Sequence, residues 1–193
     1  VTSSGHAAQV LGLFPLMSPG AEIVASSRLY GGSLQQMRNT YPKFGWAAKI
    51  VDADDPENFK RAVTANTKAF FIESLANPGG VVSDIEAIAR IAEKYHLVVL
   101  ADEIYDQMTY DGAEFVPMAT LVQHTLCGTL SGLSKVYRAC GYRVGWAAFS
   151  GDVEHSREYL SALELLSSLR LCSNVAGQWA VQTALGGYQS IRE

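Results

Sequence analysis

The chain has 193 residues, of which 48% are hydrophobic and 18% are charged, and its formal net charge is −4. This is enough chain to bury one substantial core. Lys and Arg are scattered, so we expect no nucleic-acid partner, and no apolar run reaches the roughly 18 residues of a membrane span. The 4 histidines are dispersed without metal-ligand spacing, so no metal site is predicted.

The three cysteines and residues 1–5 indicate the cellular compartment in which we expect the protein. Cys127, Cys140 and Cys172 lie far apart, a pattern that suggests neither a disulfide framework nor a zinc knuckle. Residues 1–5 lack the charged start of a signal peptide. We therefore expect a protein of the reducing cytoplasm.

Short apolar runs alternate with amphipathic stretches along the first two thirds of the chain, which is typical of α/β proteins. Their apolar character without polar alternation indicates strands covered on both faces, as in a parallel sheet between two helix layers. The predicted strands are 20–25, 47–51, 68–73, 97–101 and 125–131, and the predicted helices are 5–17, 31–41, 56–65 and 83–95.

The last third predicts a different connection. Roughly ten residues separate the strand at 125–131 from a further strand at 142–149, too few for a parallel crossover, so this pair is expected to be antiparallel. Helices follow at 152–170 and 173–188, the first with an apolar stripe predicted to face the core. We predict a three-layer α/β/α fold, mostly parallel with one antiparallel strand, forming one domain over residues 1–193. The stripe consists of Leu160, Leu163, Leu166 and Leu169.

Ionisable side chains stand where strands end in the second half, and open α/β sheets bind ligands at the carboxyl ends of their strands. Asp102 directly follows the strand at 97–101, with Tyr105 three residues later. Lys135 follows the strand at 125–131, and Arg143 lies among small and apolar residues, where a guanidinium suits an anion. Taken singly, Asp102 is equally a helix cap or a metal ligand, and Lys135 a solvated loop residue.

The first half adds three weaker signals. Residues 3–8 form a small-residue turn opening a helix, whose outward N–H groups suit a phosphate, although Ser and Gly there are also ordinary caps. Asn77 offers an amide at another strand end, or forms a simple turn. Tyr30 offers an aromatic face, or simply packs.

Together these groups match pyridoxal 5′-phosphate. That cofactor needs an anion site, a carboxylate for its ring nitrogen, an amine for an imine, an aromatic face, and donors for its phenolate oxygen. All five are available here, and a lysine released when the substrate forms its own imine is a natural base for the α-proton.

The motifs resemble those of fold-type I pyridoxal phosphate enzymes, in two branches. Residues 1 to about 90 resemble O-acetylhomoserine sulfhydrylases of the Cys/Met-metabolism family, through 4–9, 28–33 and 72–80. Residues from about 97 to 193 resemble class I aminotransferases of the alanine-converting kind, through 101–106, 132–138, 170–174 and 182–188. The two resemblances predict a chimeric chain with its junction near residues 91–97.

The resemblance implies roles for particular residues. Lys135 would carry the internal aldimine, Asp102 would pair with the pyridine nitrogen, and Tyr105 with Asn77 would bond the phenolate oxygen. The phosphate would be held by Arg143, Ser134 and the turn at Ser4, Gly5 and His6, with Tyr30 stacking on the ring. Lys135, Asp102 and Tyr105 are thus the predicted catalytic residues.

The resemblance also implies an activity. We expect transamination between an amino acid and a 2-oxo acid, in a homodimer. Members of the family are roughly twice as long, with an amino-terminal segment and a small domain that grips the substrate carboxylate, and this sequence is expected to lack both. Two alternatives follow: sulfhydrylase-like γ-replacement or elimination, and an inactive truncated or engineered large-domain scaffold.

Overall fold

A six-stranded sheet forms the centre of the computed structural model, which describes residues 2–169 and 171–188. Its order is β2-β1-β3-β4-β5-β6, with every pair parallel except the antiparallel β5–β6. This confirms the predicted mostly parallel sheet with one antiparallel strand. The strands are β1 (Glu22–Ser26), β2 (Ala47–Val51), β3 (Thr67–Glu73), β4 (Val98–Asp102), β5 (Leu126–Gly132) and β6 (Gly145–Gly151).

Seven α-helices accompany the sheet in the described part of the chain. They are α1 (Gly5–Leu13), α2 (Gly31–Gln35), α3 (Glu57–Ala62), α4 (Ile85–Lys94), α5 (Met118–Leu121), α6 (Arg157–Ser168) and α7 (Val175–Gly186). None of the helices in residues 2–169 and 171–188 has the length and apolar character needed to cross a bilayer.

Two apolar clusters cover the two faces of the sheet. Phe70 of β3 packs with Phe59 of α3 and Ile88 of α4, whereas the adjacent Phe71 packs on the other face with Leu13 of α1. Successive side chains of a strand point to opposite faces, so both phenylalanines are buried only because helices lie on both sides. The three predicted layers are therefore present.

Several predicted elements differ in length or form, including the helix predicted over 152–170, which begins only at Arg157. The helix predicted over 5–17 ends at Leu13, since Pro15 has no N–H to donate. The helix predicted over 31–41 is α-helical only to Gln35 and continues as a π turn and a 3₁₀ turn. The strand predicted over 142–149 begins only at Gly145, because a 3₁₀ turn and the left-handed Arg143 precede it.

The leucine stripe on α6 is less buried than predicted. Leu160, Leu163 and Leu166 are only partly buried, and Leu169 is 76% exposed. The prediction that this stripe belongs to the core is wrong for Leu169. The helix is instead anchored by Tyr159, whose hydroxyl donates a 2.7 Å hydrogen bond to the carbonyl of Gly12.

The predicted junction at 91–97 lies in the connection from α4 to β4. Leu97 is buried there, and its N–H donates a 3.0 Å hydrogen bond to the carbonyl of Ala92. Glu93 accepts hydrogen bonds from the backbone N–H groups of Gln123 and His124, at 2.6 and 2.8 Å. Segments on both sides of the junction therefore share one sheet and one core.

Candidate cofactor site

A cavity of about 270 Å³ opens where β3, β4 and β5 end. The three strands are parallel, so their carboxyl ends meet at one edge of the sheet. The cavity wall includes nine of the ten predicted site residues: Ser4, Gly5, His6, Tyr30, Asp102, Tyr105, Ser134, Lys135 and Arg143. The tenth, Asn77, is bonded to Tyr105 beside the cavity.

The start of α1 forms one end of the cavity. Ser4 is the N-cap, with extended backbone and a hydroxyl that accepts a 3.1 Å hydrogen bond from the N–H of Ala7. The first N–H groups of a helix have no carbonyl partner within it, so Gly5 and His6 present donors at the positive end of α1. Thr2 joins this turn to Gly145 of β6 through two backbone hydrogen bonds.

Arg143 lies at the same end. Its guanidinium donates a 2.7 Å hydrogen bond to the carbonyl of Cys140, and its backbone is left-handed, with φ at 52°. A non-glycine residue held in this region stores backbone strain, which is commonly found at functional sites. Lys135 stands in the turn after β5, with an exposed side chain on the cavity wall.

Asp102 ends β4 and faces the cavity. Its carboxylate accepts a 3.3 Å hydrogen bond from the N–H of Ile104. Burial raises the pKa of Asp102 to about 7, with a further increase from the negative charge of Glu73 and an opposing effect of Lys135. Ionisation of this buried carboxyl group by itself is unfavourable, so a cation bound beside it in the cavity would stabilise its charged form.

Tyr105 and Asn77 meet through their side chains. The amide Nδ2 of Asn77 donates a 2.8 Å hydrogen bond to the phenol oxygen of Tyr105. Burial raises the pKa of Tyr105 while this hydrogen bond lowers it. The phenol therefore stays protonated and retains a hydrogen to donate towards the cavity.

His6 and Tyr30 form an aromatic pair on the cavity wall. Their ring centroids are 5.8 Å apart, and Tyr30 is 50% exposed. The Nε2 atom of His6 is buried without a hydrogen-bond partner among the described residues. The pair packs against Gly32, where any Cβ would lie 2.6 Å from a carbon of each ring.

Sequence reasoning missed three polar residues of the wall. Glu73 ends β3 and is 2% exposed, and it carries the same strand-end signal that identified Asp102. Gln9 donates a 2.8 Å hydrogen bond from Nε2 to the hydroxyl of Ser33, while its Oε1 is buried without a partner in the described part of the chain. No spacing rule relates Gln9 to Ser33.

The donor set fits pyridoxal 5′-phosphate. The cavity brings together an amine, a buried carboxylate, a guanidinium near a helix N-terminus and an aromatic face, and the unpartnered Nε2 of His6 is an additional polar atom on its wall. Across residues 2–169 and 171–188, no group of three or more His, Cys, Asp or Glu residues could hold a metal ion. Fold and site together define a pyridoxal phosphate-binding α/β domain.

Comparison with a protein-family model agrees with this class. Residues 1–110 match the model for Cys/Met metabolism PLP-dependent enzymes. The match takes in more than half of the chain, so the chain belongs to this family of enzymes, and its cofactor is pyridoxal 5′-phosphate.

Individual relatives come from both predicted branches. The glutamate-pyruvate aminotransferase of Escherichia coli K12 is 44% identical over 142 residues, covering 72% of this chain and 35% of that protein. The O-acetyl-L-homoserine sulfhydrylase of Leptospira meyeri is 41% identical over 101 residues, covering 52% of this chain and 23% of that protein. Both resemblances are therefore confirmed.

A solved structure shows the same fold. The alanine aminotransferase from Pyrococcus furiosus has a TM-score of 0.89 and 29% identity, covering 99% of this chain and 50% of that chain. The chain spans about a third of the length of the curated relatives it matches.

Proposed function

We propose that residues 1–193 form the cofactor-binding domain of an enzyme that transfers an amino group between an amino acid and a 2-oxo acid. One observation carries the proposal: a single cavity brings Lys135, Asp102 and Arg143 together at the carboxyl edge of the sheet. The similarity to aminotransferases of glutamate, pyruvate and alanine supports small amino acids and their 2-oxo acids as substrates.

The phosphate of the cofactor is assigned to the end of the cavity at α1. The Arg143 guanidinium supplies a charge-assisted donor, and the N–H groups at Gly5 and His6 supply the positive end of the helix. Ser134 and Ser4 add hydroxyl groups on the same wall. These groups fix one end of the cofactor.

The pyridine ring of the cofactor is assigned to the part of the cavity between Asp102 and Tyr30. Asp102, ionised beside a cationic ring nitrogen, holds the proton on that nitrogen. Tyr30 covers one face of the ring, and Tyr105, oriented by Asn77, donates to the phenolate oxygen. The arrangement would exclude water from that face and fix the ring plane.

Proton transfer is assigned to Lys135. Pyridoxal 5′-phosphate, when bound, supplies an aldehyde for amines and an electron sink for the α-carbon. The Nζ of Lys135 would hold the cofactor through its aldehyde and, as a free amine, would act as the base that takes the α-proton of the substrate and gives it back. Asp102 keeps the ring nitrogen protonated throughout.

Absorbance spectroscopy with added pyridoxal 5′-phosphate tests the assignment. We expect a visible band that disappears in Lys135→Ala and survives in the matched surface variant Lys43→Ala. Borohydride reduction followed by peptide mass mapping should place the cofactor on Lys135. A chain that shows no protein-bound visible band after saturation with the cofactor and removal of the unbound cofactor would instead be the inactive scaffold.

A second activity is favoured by the match of residues 1–110 to the Cys/Met-metabolism family. Enzymes related to this half include an O-acetyl-L-homoserine sulfhydrylase, so γ-replacement is the alternative reaction. Keto-acid formation from alanine and sulfide-dependent consumption of O-acetylhomoserine separate the two. We expect the first, since the predicted catalytic lysine, Lys135, lies outside the residues that this family matches.

A homodimer is also proposed. Apolar side chains remain exposed on and after α6 and on α7, including Leu169 at 76%, Leu171 at 91% and Trp179 at 70%. Large exposed apolar patches commonly mark interfaces, and a second copy is the occupant we propose. Light scattering should give twice the chain mass, and Leu169→Arg should reduce it to one, whereas Val82→Arg should not.

We further propose a chimeric origin and a cytoplasmic location. The proposed junction near 91–97 rests on the change of motif around it, sulfhydrylase-type at 72–80 and aminotransferase-type at 101–106. Sequencing of the source DNA across the junction tests it. The three cysteines are unpaired, and Cys140 and Cys172 are exposed, which suits a reducing compartment; fractionation of cells producing the tagged chain tests the location.

A further inference from the structure

Glu73 links two segments that the proposed function assigns to the cofactor. Its Oε1 accepts a 2.7 Å hydrogen bond from the N–H of Tyr30, and its Oε2 accepts a 3.2 Å hydrogen bond from the N–H of Asn77. Tyr30 lies beyond β1 and Asn77 beyond β3, so one carboxylate fixes the loops that follow two neighbouring strands.

Strand register places Glu73 beside Asp102. The two residues are partners in the parallel β3–β4 pairing, both end their strands, and both lie on the cavity wall. Two ionised carboxylates on paired residues of neighbouring strands repel each other unless one is protonated or a cation lies close by. Each is backed by N–H donors, Glu73 by two and Asp102 by one.

We propose that Glu73 is a positioning residue for the cofactor: it holds the Tyr30 ring and the Asn77–Tyr105 pair in place and presents its negative charge to Asp102. The proposal rests on the proposed function, because Tyr30, Asn77 and Asp102 are the groups assigned to the cofactor. It goes beyond that function because Glu73 reaches the cofactor through these three residues.

The charges around Glu73 agree with this role. Burial raises the pKa of Glu73, and its two N–H donors lower it. Its charge in turn raises the pKa values of Asp102 and Tyr105. The titratable groups that share the cavity wall with Glu73, from every element that forms the wall, are His6, Tyr30, Asp102, Tyr105, Lys135, Cys140 and Arg143.

Two variants separate the effect of the charge of Glu73 from the effect of its side-chain length. Glu73→Gln keeps the length of the side chain but removes the charge and places an amide donor against one of the two N–H groups. Glu73→Asp keeps the charge but is one methylene too short to bridge Tyr30 and Asn77. Glu93→Gln is the matched control, since Glu93 also accepts hydrogen bonds from two backbone N–H groups, those of Gln123 and His124, and lies off the cavity wall.

The first measurement uses the cofactor-free chain. The pKa of Asp102 is followed by ¹³C NMR of labelled aspartate carboxyls, with Asp102→Asn for assignment. We expect a lower pKa of Asp102 in Glu73→Gln, and the value of the unmodified chain in Glu73→Asp and Glu93→Gln. An unchanged Asp102 pKa in Glu73→Gln overturns the electrostatic part of the proposal.

The second measurement is the dissociation constant of pyridoxal 5′-phosphate. We expect a rise of about tenfold in both Glu73 variants, the scale of losing one buried hydrogen bond, and less than about twofold in Glu93→Gln. Equal affinity in all four chains overturns the positioning role, and so does loss of the cooperative thermal transition in both Glu73 variants, which would make Glu73 structural. An unmodified chain that binds no cofactor contradicts the proposed function instead, and leaves the NMR result to decide on Glu73.

Discussion

The side-chain amide of Asn77 donates a 2.8 Å hydrogen bond to the phenol oxygen of Tyr105. The two residues are 28 positions apart and lie on either side of the predicted junction at 91–97. The contact therefore links the segments on the two sides of that predicted junction at the edge of the cavity. Four predictions follow from this contact and its neighbours.

Removal of the phenol hydroxyl should weaken cofactor binding with little effect on the fold. Tyr105→Phe loses the hydrogen bond that the phenol is proposed to donate to the phenolate oxygen of the cofactor, which is about 1.5 kcal/mol and about tenfold in the dissociation constant. Fluorescence titration with pyridoxal 5′-phosphate measures this. Tyr137→Phe is the control, because its hydroxyl accepts from Gln107 away from the cavity wall, and equal losses in both variants would contradict a specific role for Tyr105.

Asp102 should make the stability of the cofactor-free chain depend on pH. Its pKa is raised from 3.8 to about 7, mainly by burial, so the folded state binds this proton more tightly than the unfolded state does. The stabilising contribution of Asp102 to the free energy of unfolding is thus fully present below pH 3.8. It decreases as the pH rises to about 7 and does not change further above that pH.

Asp102→Asn should remove this dependence. At pH 8 we expect the cofactor-free variant to be more stable by about 4 kcal/mol, since the rise from 3.8 to about 7 costs about 1.4 kcal/mol per pH unit, while its affinity for pyridoxal 5′-phosphate falls about a hundredfold. Thermal denaturation across the pH range gives the first value and titration the second. Asp111→Asn, at an exposed left-handed position that Asn tolerates, should leave both unchanged.

A methyl group at Gly32 should displace the aromatic pair. In Gly32→Ala the new Cβ would lie 2.6 Å from carbons of both His6 and Tyr30. All three clashing atoms, two of His6 and one of Tyr30, are side-chain atoms, and Tyr30 is half exposed, so the rings can move at a cost below about 2 kcal/mol.

The expected result is therefore weaker cofactor binding with a small loss of stability. Gly31→Ala is the neighbouring control, since a Cβ there meets nothing within 4 Å. Calorimetric titration of both variants with pyridoxal 5′-phosphate compares them. Unchanged affinity in Gly32→Ala would mean that the position of Tyr30 is unimportant for binding.

Removal of the Arg143 guanidinium should weaken the binding of the cofactor through its phosphate group. Arg143→Gln removes a charge-assisted hydrogen bond of about 1.5–3 kcal/mol, about 10- to 150-fold in affinity. Arg138→Gln matches it, because both arginines are exposed with left-handed φ but only Arg143 lies on the cavity wall. Inorganic phosphate should compete less well with the cofactor only in Arg143→Gln. An equal loss of competition in both variants would mean that overall positive charge, and not Arg143 in particular, attracts the phosphate.

The amino-acid sequence determined the elements and most of the candidate site. Buried parallel strands are apolar throughout, so 47–51 and 68–73 could be identified within one residue of β2 and β3. Polar groups after such strands stand out against their surroundings, which identified Asp102 and Lys135. Helix ends were less certain, because the path after Leu13 depends on Pro15 and on packing that no local pattern specifies.

Tertiary structure alone decided the contacts between these groups. The order β1-β3-β4 places Tyr30, Asn77 and Asp102 around Glu73, and nothing in their spacing specifies that order. The same holds for Gln9 with Ser33, which are 24 positions apart. Residue types and periodicity specify which groups lie at a strand end, whereas hydrogen bonds between strand ends depend on the order and register of the whole sheet.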